Sequence, residues 1–198
     1  MPYEIDKNYN SLDRLDKWDD VTQEVIKKRL EEAKTEPDFF YLAEEPARVL
    51  EKLTDVLIYQ EGQAADKRIN IGRIINQNLS DKKEGVRYGD DPWRGQFYKD
   101  GLALAAADFL KSTGKDFFSA DDKEIGEYIE KIMKNENGDA RVKRFIAKVL
   151  SDAALIYYSY PESWNKIGFP GPAYPEGYAY LGCGEAEKWE PKYNMESF

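Results

Sequence analysis

The sequence predicts an all-α fold: a bundle of about six helices followed by an irregular C-terminal tail rich in aromatic, proline and glycine residues. Three observations carry this. Apolar residues recur at i, i+3 and i+4 down to about residue 160, no segment of that stretch alternates with period two, and the composition changes abruptly beyond it.

Residues 20–34 carry Val21, Val25, Ile26, Arg29, Leu30 and Ala33 at helical spacing, with charge on the other side and Asp19 or Asp20 to cap the helix. Pro46 suits a first helical turn, and Val49, Leu50, Leu53, Val56 and Leu57 follow on one face. After Asp66, the residues Ile69, Ile71, Ile74, Ile75 and Leu79 read as a third helix despite Gly72. The isoleucines alone would also permit a strand; spacing and length favour the helix. Asp91 as N-cap and Pro92 at the first helical position open a fourth helix, running through Trp93, Phe97, Leu102, Leu104, Ala105 and Leu110 to Gly114. Its Ala103 and Ala105 to Ala107 would let another helix approach closely. Ser119 with Asp122 resembles a capping box for a fifth helix, carrying Ile125, Tyr128, Ile129, Ile132 and Met133 and ended by Gly138. Asp139 caps the sixth, where Val142, Phe145, Ile146, Val149, Leu150, Ala153 and Ile156 make the clearest amphipathic pattern; Pro161 ends it. Short connections imply antiparallel packing. The expected organisation is a helical domain over 1–160 with a polar N-terminal arm, then an extended segment over 161–198.

With 198 residues, 41% of them hydrophobic, the chain should bury roughly 70% of its unfolded surface, which excludes disorder for the bulk. Its net charge of −9 repels phosphate backbones, so nucleic acid is set aside as a partner. The absence of His removes the commonest general base and zinc ligand. One cysteine, Cys183, allows neither an intrachain disulfide nor a Cys-rich metal site, and no base is at hand to activate it. The longest weakly polar run, Gly101 to Ala107, is far short of the about 20 residues of a membrane span. The opening Met1-Pro2-Tyr3-Glu4 has neither a basic n-region nor an apolar h-region, so a cytoplasmic location is expected.

Asp6, Asn8 and Asn10 imitate the start of a calcium loop, but Ser11 replaces the turn glycine and Lys17 the bidentate glutamate; a polar arm is expected there. Gly168-x-x-Gly171 and Gly182-Cys183-Gly184 follow no strand and open no helix, so they read as turns and not as phosphate cradles. The adjacent pairs Glu44-Glu45, Asp90-Asp91 and Asp121-Asp122 cannot converge as two hydrolytic carboxylates do, and they suit caps and solvated faces. No catalytic, cofactor-binding or metal-binding residue is expected in this chain.

The informative cluster is the tail. From Tyr157 on it holds eleven of 27 aromatics and five of nine prolines. Prolines and glycines at this density deny both helix and sheet, yet the segment is too aromatic to be solvated, so its rings must lie against protein. Tyr157, Tyr158, Tyr160, Trp164, Phe169, Tyr174, Tyr178 and Tyr180 fit a satellite core on the bundle, a protein interface, or a surface that stacks on sugars. The interface reading selects Tyr157, Tyr158, Trp164, Phe169, Pro170, Pro172, Tyr174 and Tyr178, with the prolines (Pro175 among them) lowering the entropy lost on ordering.

Three stretches, in order, resemble the gluconate 2-dehydrogenase subunit 3 family. Ile69-Asn70-Ile71-Gly72-Arg73-Ile74-Ile75, then Gly85-Val86-Arg87-Tyr88 and Pro92, is similar to its short helix and Gly-x-Arg-Tyr turn. Tyr98-Lys99-Asp100-Gly101-Leu102, then Gly114-Lys115-Asp116-Phe117-Phe118-Ser119, resembles its Y-x-x-G-L helix and G-K-x-F connection. Ala154 to Pro161, Trp164, Ile167-Gly168-Phe169-Pro170-Gly171-Pro172 and Pro175 resemble its I-G-Y-P-G-P close. The likeness spans about residues 66–180.

The resemblance implies a non-flavin small subunit that binds and stabilises a large FAD-dependent subunit of the glucose–methanol–choline type, which oxidises a sugar, sugar acid, glycoside or polyol. A multihaem cytochrome c often completes such complexes. FAD is then expected on the partner and no cofactor on this chain. Members commonly begin with a twin-arginine leader; its absence from this numbering departs from the pattern and leaves a periplasmic or cell-envelope location as the alternative. Ala154 to Ile156 also departs, standing where many members have a glycine before the aromatic pair. The other functional reading is a free-standing helical module that binds carbohydrate or protein.

Overall fold

The computed structural model describes residues 10–32, 41–60, 68–80, 93–134, 139–169 and 171–172. They form a 3-10 helix, Ser11–Lys17, and seven α-helices: α1 Asp20–Glu32, α2 Glu44–Leu57, α3 Ile71–Ser80, α4 Arg94–Thr113, α5 Asp122–Lys134, α6 Ala140–Ser159 and α7 Pro161–Ile167. No strand occurs among the described residues, and the all-α expectation is met. No helix among them is long and apolar enough to cross a membrane. The chain divides into two compact units, Thr35–Tyr157 and Met1–Lys34 with Tyr158–Phe198, so the boundary falls inside α6.

Helix starts follow local hydrogen-bonding chemistry more than the expected cap positions. Asp19 caps α1, accepting from Thr22 N at 2.8 Å and Thr22 Oγ1 at 2.6 Å, which holds its carboxyl below the usual range. The box expected at Ser119 and Asp122 is instead formed by Asp121 and Glu124: Glu124 N donates to Asp121 Oδ1 at 2.8 Å and Asp121 N to Glu124 Oε2 at 3.1 Å. Asp116 takes Ser119, accepting from its backbone N–H at 2.8 Å. Asp91 and Pro92 lie outside the described residues; α4 begins at Arg94 with Trp93 in the N-cap position. Asp139 caps α6 as expected, and the Arg141 side chain and backbone N–H hold its carboxyl down to about 2.

In the unit Thr35–Tyr157, α2 packs on α3, α4 and α5 through Val49, Leu50 and Leu53. Side chains tie the connections to this core. Gln60 grips the Ile69 backbone in both directions, donating to its carbonyl at 2.9 Å and accepting from its N–H at 3.0 Å. Lys52 Nζ donates to the carbonyls of Phe117 and Ala120 at 2.8 and 2.9 Å. That fixes the turn that stacks Phe117 on Phe109, with ring centroids 4.3 Å apart, and Tyr128 closes edge-on at 5.0 Å from Phe109.

Contact between α4 and α6 rests on a missing side chain and a buried charge. A Cβ on Gly101 would lie 2.1 Å from Phe145 Cδ2, so only glycine lets that ring lie across α4. The expected alanine surface contributes less: Ala105 is buried, whereas Ala103, Ala107 and the predicted core residue Leu110 face solvent. Beside the glycine, Asp152 is 7% exposed on the core side of α6. It accepts from Tyr98 OH at 2.6 Å and Arg94 Nη2 at 3.1 Å on one oxygen, and from Lys148 Nζ on the other. Burial pushes its carboxyl up, but hydrogen bonds from Lys148 and Tyr98 and the Arg94 charge outweigh this and hold it below its ordinary value. Burial, and the carboxylate beside it, push the Tyr98 hydroxyl well up, so it stays a neutral donor.

Asp152→Ala leaves Arg94 and Lys148 facing each other without their counter-ion and should destabilise the chain by about 3–5 kcal/mol. Because the folded-state pKa is lowered, the carboxylate's contribution is complete above its unfolded value and vanishes as pH falls through the folded one. Urea titrations at graded acid pH should therefore show the wild type losing stability on acidification more steeply than Asp152→Ala. Gly101→Ala should cost about 1–3 kcal/mol in the same assay, because the Phe145 ring must move.

Candidate partner interface

The aromatic close of the chain begins where α6 ends. Tyr160 precedes Pro161, which both terminates α6 and occupies the first turn of α7, where its missing N–H is no loss. Residues 161–167 are thus helical, which corrects the expectation of irregular backbone from Pro161 onward. The helix ends at Gly168 (φ 66°), and Phe169 N donates to the Trp164 carbonyl at 2.9 Å. Chain reversal continues at Gly171, whose φ of 99° excludes ordinary side chains and whose Cβ would lie 2.2 Å from Trp18 Cζ2.

These turns pack Trp164 edge-on between two rings, at 6.3 Å from Trp18 and 5.4 Å from Phe169. Trp18, Ile26 and Trp164 form a buried cluster, flanked by Leu12, Leu15, Leu30 and Phe169. Trp164 Nε1 donates to the Tyr158 carbonyl at 2.8 Å, so the indole is satisfied inside the chain. Polar contacts lock the same surfaces. Asn165 Oδ1 accepts from Ser11 N at 2.8 Å and Ser11 Oγ at 2.9 Å, while its Nδ2 donates to Asn10 Oδ1 at 3.1 Å. Arg29 donates to the Ser159 carbonyl at 3.1 Å, placing a cation at the carbonyl end of α6.

Of the eight residues selected as interface anchors, Tyr157 and Trp164 are buried, Phe169 and Pro172 half-buried, and Tyr158 is 52% exposed. Pro170, Tyr174 and Tyr178 lie outside the described residues, as do Tyr180 and Cys183. Trp164 and Phe169 are brought together as expected. Trp18 and Ile26, which complete their cluster, were missed as members of it; the signal was a tryptophan directly before the Asp19 cap of a helix with Ile26 on its apolar side. Leu155 on α6 is 74% exposed, three residues from Tyr158 and therefore on the same helix face, and Ile167 of α7 is half exposed. Val21 and Val25, expected in the core, are exposed as well.

Chemistry is sparse. Among the described residues no three His, Cys, Asp or Glu side chains group as metal ligands. Asn10, read as part of a calcium-like run, serves as the cap of the 3-10 helix, accepting from Leu12 N at 3.3 Å; Asp6 and Asn8 lie outside the described residues. Asp121, Glu44 and Glu45 sit at helix N-termini, as their pairing suggested.

Fold and surface together define a small helical protein whose charged groups cap, bridge and solvate. It belongs to the gluconate 2-dehydrogenase subunit 3 family, whose model matches residues 44–171, well over half of the chain. The match begins earlier than the likeness read from the sequence and ends at Gly171, the glycine that abuts Trp18. The family is named for one subunit of a gluconate 2-dehydrogenase complex. No curated protein and no solved structure matches the chain.

Trp164→Ala removes the ring at the centre of the buried cluster and should destabilise the chain by about 3–5 kcal/mol. Thermal unfolding followed by tryptophan fluorescence checks this, and Gly171→Ala should also lower the melting temperature.

Proposed function

We propose that this chain is a non-catalytic small subunit that binds and stabilises a large FAD-dependent oxidoreductase subunit of the glucose–methanol–choline type. The partner's substrate would be a sugar, sugar acid, glycoside or polyol, and a cytochrome c subunit would be a further member of the complex. Family membership over residues 44–171 carries this reading. Two observations support it. The chain has no histidine, so the most versatile proton-transfer group is missing. The described residues also form no strand, hence none of the strand–glycine turn–helix units that hold a dinucleotide. The proposal places FAD on the partner.

The mechanism is thermodynamic. A subunit that binds only the folded partner stabilises it by mass action, by about 2.7 kcal/mol at one hundred times the dissociation constant. Interface energy of this kind comes from apolar side chains that lose their water on docking. Leu155 in one unit, and Tyr158 and Ile167 in the other, are among the described large side chains left at least half exposed, as are Val21, Tyr59, Trp93 and Leu110.

Co-expression with the large flavoprotein subunit tests the proposal. Leu155→Asp should leave the isolated chain folded, since that side chain is 74% exposed, and lower the yield of co-purified flavoprotein several-fold. The isolated chain should show no flavin absorbance and no dehydrogenase turnover. A flavin bound to this chain alone, or calorimetric binding of sugars in the absence of the flavoprotein, would falsify the subunit reading.

A further inference from the structure

The unit formed by Met1–Lys34 and Tyr158–Phe198 joins two pieces of chain that lie far apart in sequence. Its C-terminal piece includes α7, which falls within the family match; its N-terminal piece, the 3-10 helix and α1, lies wholly before that match. Residues outside the matched region therefore complete the packing of its last helix. Trp18 stands edge-on to Trp164 and fills the space beside Gly171, and Ile26 closes the buried cluster. Asn165 commits its side-chain amide to Ser11 and Asn10, and Arg29 reaches the Ser159 carbonyl.

Three features ready this junction to open. Its buried apolar cluster is small, holding Trp18, Ile26 and Trp164, whereas α4 alone buries Tyr98, Leu102, Ala105 and Phe109 in the other unit. Trp18 Nε1 is buried and, among the described residues, has no hydrogen-bond acceptor; that cost is relieved once the indole reaches water. Finally, α7 spans 7 residues, well below the about 12–15 that an isolated helix needs, so its order depends on the rings and amides of the N-terminal piece.

We infer that the 3-10 helix and α1 form a releasable clasp, which opens together with α7 and Phe169 while the unit Thr35–Tyr157 stays folded. The coupling is reciprocal. Release of the clasp strips Trp164 and Asn165 of their partners and melts α7; melting of α7 leaves Trp18 and Ile26 without a core. Trp164 is covered in the closed state, so a partner that engages this ring has to select the open one. The inference does not depend on the identity of such a partner.

Native-state hydrogen exchange of the full chain, read amide by amide by NMR, is the test. The Ser11 and Phe169 amides, which donate to Asn165 Oδ1 and the Trp164 carbonyl, should exchange through one opening event shared with Ile26 of α1. That event should be more than about tenfold more frequent than the opening that exposes Phe109 and Val149. Two variants act across the junction. Asn165→Ala on α7 should speed exchange at Ile26 about tenfold, and Arg29→Ala on α1 should speed it several-fold at Phe169. Phe109 and Val149 should keep their wild-type rates in both, which shows that the rest of the chain is folded. A single rate at all of these amides in the wild type overturns the inference, as does an effect of either variant confined to its own segment.

Discussion

Close approach of α4 and α6 is the constraint on which the unit Thr35–Tyr157 depends. Phe145 occupies the volume a side chain at Gly101 would need, and that proximity brings Asp152 within hydrogen-bond reach of Tyr98 and Arg94. The two features require each other. A carboxylate buried this far loses most of its hydration, and three donors at close range are what keep it ionised. An α4 held even a methyl group further out would leave the charge without two of its partners.

Beside this contact a surface groove is lined by Phe145 and by half-buried Phe97 and Leu104. The polar ties elsewhere in this unit act on connections: Gln60 on the Ile69 backbone, and Lys52 on the carbonyls before α5. A Lys amine can satisfy two carbonyls at once, which suits a turn whose backbone has no helical partners.

In the other unit, apolar rings divide between two uses. Trp164 is consumed by Trp18, Ile26 and Phe169, and Asn165 fastens the same helix to Ser11 and Asn10. Tyr158 and Ile167 remain accessible. A segment rich in proline and glycine gains its order from such internal packing. The aromatic richness of the C-terminal stretch therefore does not translate wholesale into interface.

Helix existence, fold class and family were legible in the sequence, because amphipathic spacing, glycine stops and ordered short motifs are local properties of the chain. Asp139, Gly114 and the Ile125 to Ile132 face fell where the spacing put them. Asp152 was legible in principle, as a carboxylate on the row of Phe145, Val149 and Ile156, but its row does not name Tyr98 and Arg94, which lie more than fifty residues away. Pro161 could be read as an end or as a beginning, and only the structure shows it serving as both. Likewise, periodicity marked Val21, Val25 and Leu110 as core, although the helices they belong to turn narrower faces inward. What the sequence determined by itself was that the segments before residue 160 are helical and that they carry no histidine. Which rings are buried, which carboxylate is paired and where a groove opens was decided only by tertiary structure, since these depend on distances between residues far apart along the chain.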